Sequence, residues 1–97
     1  WYLGQEEDVQ EGVDQILEKK GCREPKIAHR FAEAVMQSVA QLAVITVQDI
    51  LDLGDEARIN TPGTVGSPNW EWRIANLEGL KKEIPVIRKI FVRTDRI

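Results

Sequence analysis

The run Leu42-Ala43-Val44-Ile45-Thr46-Val47 is almost wholly apolar and rich in β-branched side chains. Such residues fit the pleated backbone of a strand, and unbroken apolarity, in place of an in–out alternation, marks a strand covered on both faces. The run therefore predicts one buried strand of the parallel type. No second run in the 97 residues offers it a partner, and a strand needs neighbours for its backbone N–H and C=O groups. The expectation is an α/β chain, mainly helical apart from this strand, that belongs to something larger.

Helical periods flank the run on both sides. From Glu6 to Lys20, Val9, Val13, Ile16 and Leu17 share one face. Glu6, Glu7 and Asp8 stand at the positive N-terminal end, Lys19 and Lys20 at the other, and Gly21 is a fitting stop. Pro25 opens a second helix in its first turn. There Ile27, Ala28, Phe31, Val35, Met36 and Val39 form a wide apolar stripe, which predicts the best-buried helix of the chain. Downstream, Asp49 to Leu53 predicts a short helical turn ended by Gly54. Asn76 is placed to cap a last helix from Leu77, with Leu77, Leu80 and Ile84 inward. Pro85 bars a straight continuation, so residues 86–92 are expected as a separate short helix or a kinked extension. The charged tail after Arg93 is expected to fray.

Between these lies Glu56-Ala57-Arg58-Ile59-Asn60-Thr61-Pro62-Gly63-Thr64-Val65-Gly66-Ser67-Pro68-Asn69-Trp70-Glu71-Trp72-Arg73. Its Pro, Gly, Ser and Asn residues break any helical or strand period, so the segment predicts a long loop. Loops that carry flat aromatic faces beside fixed hydrogen-bonding groups are common ligand sites. A sugar suits this one, with its C–H faces on indoles and its hydroxyls on amides. Asn60 is the first candidate for contact, because its amide both donates and accepts and Pro62-Gly63 holds the adjacent backbone in a turn. Pro62 and Gly63 are expected to shape the loop more than to touch a ligand. Trp70 and Trp72 flank Glu71; in an extended chain they point the same way, either lining a ligand path or anchoring the loop. Arg58 and Arg73 are candidates for charge-assisted bonds that hold the loop.

Composition excludes several classes. The formal charge is −3 with acids and bases interspersed, so no basic stripe invites nucleic acid. No apolar run approaches the ~18 residues of a membrane span. Cys22 is the only cysteine and His29 the only histidine, which rules out an intrachain disulfide and a Cys/His zinc site. Cys22 reads as a structural thiol and His29 as a surface or boundary histidine of the second helix. Asp49, Asp52, Asp55 and Glu56 fit capping and solvated turns better than a catalytic pair.

The ordered set Gln48-Asp49-Ile50-Leu51-Asp52-Leu53-Gly54, then Glu56 to Thr64, then Asn69-Trp70-Glu71-Trp72-Arg73 resembles the C-terminal signature of the 4-α-glucanotransferases, also called amylomaltases or disproportionating enzymes. Trp1-Tyr2-Leu3-Gly4 is similar to the family segment that follows a His-Asp-Asn motif. The resemblance implies a (β/α)8 barrel, a fold of roughly 250 residues, of which this chain, opening on Trp1, is expected to be a C-terminal fragment without a complete domain boundary. It implies retaining transfer of α-1,4-glucan segments to glucose or another glucan, with catalytic carboxylates upstream of Trp1 and so no catalytic residue here. It places Asn60 beside the acceptor subsites. Neither metal nor organic cofactor is implied, and the setting is the cytoplasm, or the plastid in a plant. A barrel fragment alone is expected to self-associate and to be inactive. The rival expectation is a non-catalytic helical module that binds glycan or protein through the loop from Asn60 to Trp72.

Overall fold

In the computed structural model, which describes residues 1–96, four α-helices run in the order α1 (Glu7–Lys19), α2 (Ile27–Met36), α3 (Val47–Ile50) and α4 (Glu78–Arg93). Helix α1 carries Glu7 and Asp8 in its first turn and Lys19 in its last, matching the helix dipole. It ends where Gly21 turns left-handed at φ +73°. There Cys22 N–H donates to Leu17 O at 2.9 Å and Gly21 N–H to Glu18 O at 3.0 Å, the paired bonds of a glycine-terminated helix. Cys22 is thereby carried into the interior, where burial pushes its thiol pKa up.

Helix α2 packs against each of the other three. Its buried face is His29, Ala32, Glu33 and Met36, spaced at helical intervals. Phe31, Val35 and Val39, expected inward, are exposed instead. Met36 of the expected stripe is buried and Ile27 and Ala28 are half-buried, so the inward face is rotated toward His29 and Glu33, which is possible because the inward polar groups are all paired. His29 Nε2 lies 2.7 Å from Ile50 O; a carbonyl only accepts, so Nε2 carries the proton. Glu33, only 2% exposed, accepts from Arg93 Nε at 2.8 Å and Nη2 at 3.0 Å. The same guanidinium reaches Glu24 at 2.8 Å. Both carboxylates hold the Arg93 pKa above its ordinary value, Glu33 first.

The expected strand is not formed. Among the described residues there is no strand at all, so the α/β assignment, with its barrel strand from Leu42 to Val47, is corrected to an all-helical one. Residues 42–46 run without a regular element, and Val47 begins α3. Leu42 is 79% exposed and Val44 75%. A strand forms only by pairing, and among the described residues no segment pairs with this one. What directs the segment is Arg96, which wraps the exit of α2. Its Nε donates to Met36 O at 2.6 Å, and Nη2 donates to Ser38 O at 3.1 Å and Ala40 O at 2.7 Å.

The short helix expected at Asp49 to Leu53 is present as α3, beginning two residues earlier at Val47. Thr46 Oγ1 accepts from Asp49 N–H and donates to Asp49 Oδ2 at 2.9 Å, a reciprocal cap. Helix α4 runs on through Pro85, so of the two alternatives residues 86–92 extend the same helix and do not form a separate one. Pro85 lies on the exposed side, and Leu80, Val86, Ile87 and Ile90 supply the inward face, so packing outweighs the missing N–H. Leu77 and Ile84, expected inward, are exposed.

Replacing Arg93 by Ala strands two inward carboxylates. Breaking a buried pair costs about 3–5 kcal/mol, and the lower end applies because the Arg93 side chain is 42% exposed. Urea unfolding of Arg93→Ala is expected to show a loss of about 3 kcal/mol; an unchanged midpoint contradicts the assignment.

Candidate functional site

The loop between α3 and α4 is tied to the helices at its start. Gln48 Nε2, on α3, donates to Ala57 O at 3.1 Å, and Ala57 is buried. A 3-10 turn, Asp55–Ala57, opens the loop. Here Glu56 folds back so that Oε1 accepts from Gly54 N–H at 2.9 Å. This bond, and then the residue's own N–H, hold the Glu56 carboxyl below the usual carboxylate range. A general acid requires the opposite shift.

Two arms of the loop are then cross-braced. Trp70 N–H donates to Ile59 O, and Thr61 N–H donates to Asn69 Oδ1 at 2.8 Å. Asn69 Nδ2 in turn donates to Thr64 Oγ1 at 3.0 Å, and Thr64 Oγ1 to Thr61 O at 2.6 Å. Thr64 N–H closes on Thr61 O at 3.2 Å, with Gly63 at φ +79°. Pro62 followed by a left-handed glycine is the sequence of a type II turn. Farther on, Ser67 Oγ donates to Glu71 Oε2 at 2.7 Å.

The braced loop encloses a groove of about 500 Å³. Asn60 and Trp72 line it together with Asp55, Glu56, Arg58, Thr61, Asn69 and Glu71. The bracing bonds run through Asn69, Thr64 and the Ser67–Glu71 pair, while the exposed Asn60 faces the groove. Pro62 and Gly63 form the turn and are not among the groove-lining residues. Of the two tryptophans only Trp72 lines the groove. Trp70 sits at φ +64°, which breaks the alternation, and is 76% exposed. Trp72 is half-buried and also borders a second recess formed with Leu51, Ile74 and Gly79, so it joins the groove to α4.

Arg58 lines the groove and Arg73 is exposed; the bracing bonds run through Asn69, Thr64, Ser67 and Glu71, not through these guanidinium groups. Asn69 and Thr64 are the residues that sequence reasoning missed. The signal was available in an Asn three residues after a glycine and just beyond Ser-Pro, a pattern of side-chain-to-backbone turn bonding. His29, read as a surface or boundary residue, is buried under α3. Asp49 caps α3 and Glu56 caps Gly54, so both carboxylates are engaged locally. Among the described residues no group of three or more His, Cys, Asp or Glu side chains is arranged to hold a metal. No helix among them is long and apolar enough to cross a membrane.

A family model described as 4-alpha-glucanotransferase matches residues 1–78. The chain belongs to the 4-alpha-glucanotransferase family. The chloroplastic/amyloplastic 4-alpha-glucanotransferase of Solanum tuberosum is 35% identical over 77 residues, which cover 76% of this chain and 13% of that enzyme. The Aquifex aeolicus 4-alpha-glucanotransferase is 35% identical over 83 residues, 86% of this chain and 17% of its own length. A 39-residue stretch reaches 62% identity with the Thermus thermophilus enzyme, covering 40% of the chain and 8% of that protein. The chain thus spans under a fifth of the curated relatives it matches. No solved structure matches it.

The lowered Glu56 value sets a pH dependence. The folded carboxyl titrates below an unfolded glutamate, so the bond to Gly54 is intact at neutral pH and is lost as pH falls through the folded value. A carboxyl-detected NMR titration is expected to place Glu56 below a free glutamate, with the Gly54 amide shifting in step. A Glu56 midpoint at or above the free value contradicts this geometry.

Proposed function

We propose that the chain is a C-terminal portion of a 4-α-glucanotransferase and supplies part of its acceptor site through the groove at Asn60. The observation that carries this reading is the placement of the Asn60 amide in a braced, preformed groove beside the Trp72 indole. An amide that neither braces the loop nor lies buried is available to sugar hydroxyls, and preformed loops lose little entropy on binding. Family membership supports α-1,4-glucans as the ligand class. The reaction of the whole enzyme is a retaining, two-step transfer. An upstream carboxylate takes a 4-α-glucanosyl group, and the 4-hydroxyl of glucose or another glucan resolves the intermediate. The residues of this chain bind and orient. The low Glu56 value and the capping role of Asp49 support leaving the acid and nucleophile to other parts of the enzyme. The setting is the cytoplasm in a bacterium or the plastid in a plant, in starch, glycogen and maltodextrin turnover.

The test is a graft. Residues 1–78 replace the matching segment of the Aquifex aeolicus enzyme, with and without Asn60→Ala, and disproportionation of maltotriose is followed at varied glucose. Losing one sugar hydrogen bond costs about 0.5–1.5 kcal/mol, so the glucose KM is expected to rise about three- to tenfold, while donor cleavage into water is unchanged. Unchanged acceptor and donor kinetics in an intact graft contradict the reading.

The rival, a non-catalytic helical module, is favoured by the Arg93 network, which joins α2 and α4 without a sheet. Exposed Val39, Leu42 and Val44 weigh against a self-sufficient module. Accordingly the isolated chain is expected to release no glucose from maltotriose and to scatter light as oligomers at micromolar concentration. A strictly monomeric chain would favour the module, and turnover abolished by Glu56→Gln would contradict the assignment of catalysis to other parts of the enzyme.

A further inference from the structure

Trp70 combines two unfavourable features. Its large indole is mostly in water, and its backbone occupies the left-handed region, which bulky L-residues rarely adopt. Neither is relieved locally. Both are enforced by the bracing on either side: Trp70 N–H on Ile59 O, the Asn69 side chain on Thr61 and Thr64, and Glu71 on Ser67. A tryptophan that served to anchor the loop would be packed, as Trp72 is in part. A tryptophan of no consequence would leave the left-handed position to Gly or Asn, the residues that tolerate it. Backbone strain held in place by its surroundings, and presenting an exposed side chain, points toward a ligand.

The position is also informative. Trp70 stands between Asn69 and Glu71, which both line the groove, yet is not itself among the lining residues. The indole is thus exposed next to the groove without lining it. We propose that Trp70 is an outer glucan platform, whose indole stacks on the C–H face of a glucose unit beyond the unit held at Asn60. Glucose and maltose are too short to use it. A longer α-1,4-glucan, leaving the groove, meets the ring. The inference rests on reading the groove as a sugar site, and it assigns Trp70 the discrimination between short and long chains.

The test titrates the 15N-labelled Aquifex aeolicus enzyme carrying the graft of residues 1–78 with maltose and with maltoheptaose. Both sugars are expected to shift the Asn60 side-chain amide, and only maltoheptaose the Trp70 indole N–H. Trp70→Gly removes the ring and relaxes the left-handed backbone, so its melting temperature is expected to be unchanged or raised. Its maltoheptaose affinity is expected to fall about three- to tenfold, the size of one aromatic face contact, with maltose affinity unchanged. Trp70→Phe should recover part of the loss. If Trp70→Gly weakens neither sugar, or both equally, while the unsubstituted graft binds maltose at Asn60, the platform is overturned and the groove stands. If the unsubstituted graft shows no shift at the Asn60 amide with either sugar, the groove reading fails and the platform with it.

Discussion

One guanidinium organises this fold. Arg93, at the end of α4, meets the inward carboxylate of Glu33 on α2 with two hydrogen bonds and that of Glu24, just ahead of α2, with a third. A planar fork of donors suits two carboxylates at once, which a lysine would not. The pairing joins residues 60 and 69 positions apart in sequence. It also decides which face of α2 is inside, because a carboxylate as buried as Glu33 must be paired or left in an unfavourable state. The net contribution of such a pair to stability is small, since desolvation offsets attraction. Its effect on specificity is larger: with Glu33 and His29 inward, the apolar residues Phe31 and Val35 are left outside.

From that joint the geometry passes to the groove through a short series of contacts. His29 holds α3 by the carbonyl of Ile50, and Gln48 on α3 holds the loop by the carbonyl of Ala57. Trp70 and Asn69 then fold the far arm of the loop onto Ile59 and Thr61. Each step is one polar group meeting one backbone group. Asn60, which takes no part in this bracing, is positioned by all of it.

Local signals were legible in the sequence. Acidic starts and a glycine stop gave α1, the Thr46 cap fits α3, and the density of Pro, Gly and Asn gave the long loop and the turn at Pro62 and Gly63. What was not legible depended on partners. The run from Leu42 to Val47 has strand composition, but strand formation is a property of a pair; Arg96 fixes the approach to the run, and nothing among the described residues pairs with it. The face of α2 was read only in part, with Met36 inward as expected, because hydrophobic periodicity cannot register that Glu33 meets an arginine 60 residues later. Pro85, with its missing N–H, left a separate helix and an extension both open, and inward packing on both sides of it keeps α4 one helix. At the site, residue types led to Asn60 and the indoles, and family resemblance was carried by the same motifs. The left-handed turn at Trp70, which separates the two indoles, has no signature in composition.

The most direct measurement of the central claim is a double-mutant cycle on Arg93 and Glu33, using Arg93→Ala, Glu33→Ala and the combination in urea unfolding. Residues that share one hydrogen-bonded ion pair couple by about 0.5–3 kcal/mol. If Arg93 is the joint of the fold, the coupling lies in the upper half of that range, and the double variant is less destabilised than the two single changes together. Additive losses, with no coupling, would show that Arg93 and Glu33 do not hold α2 and α4 together.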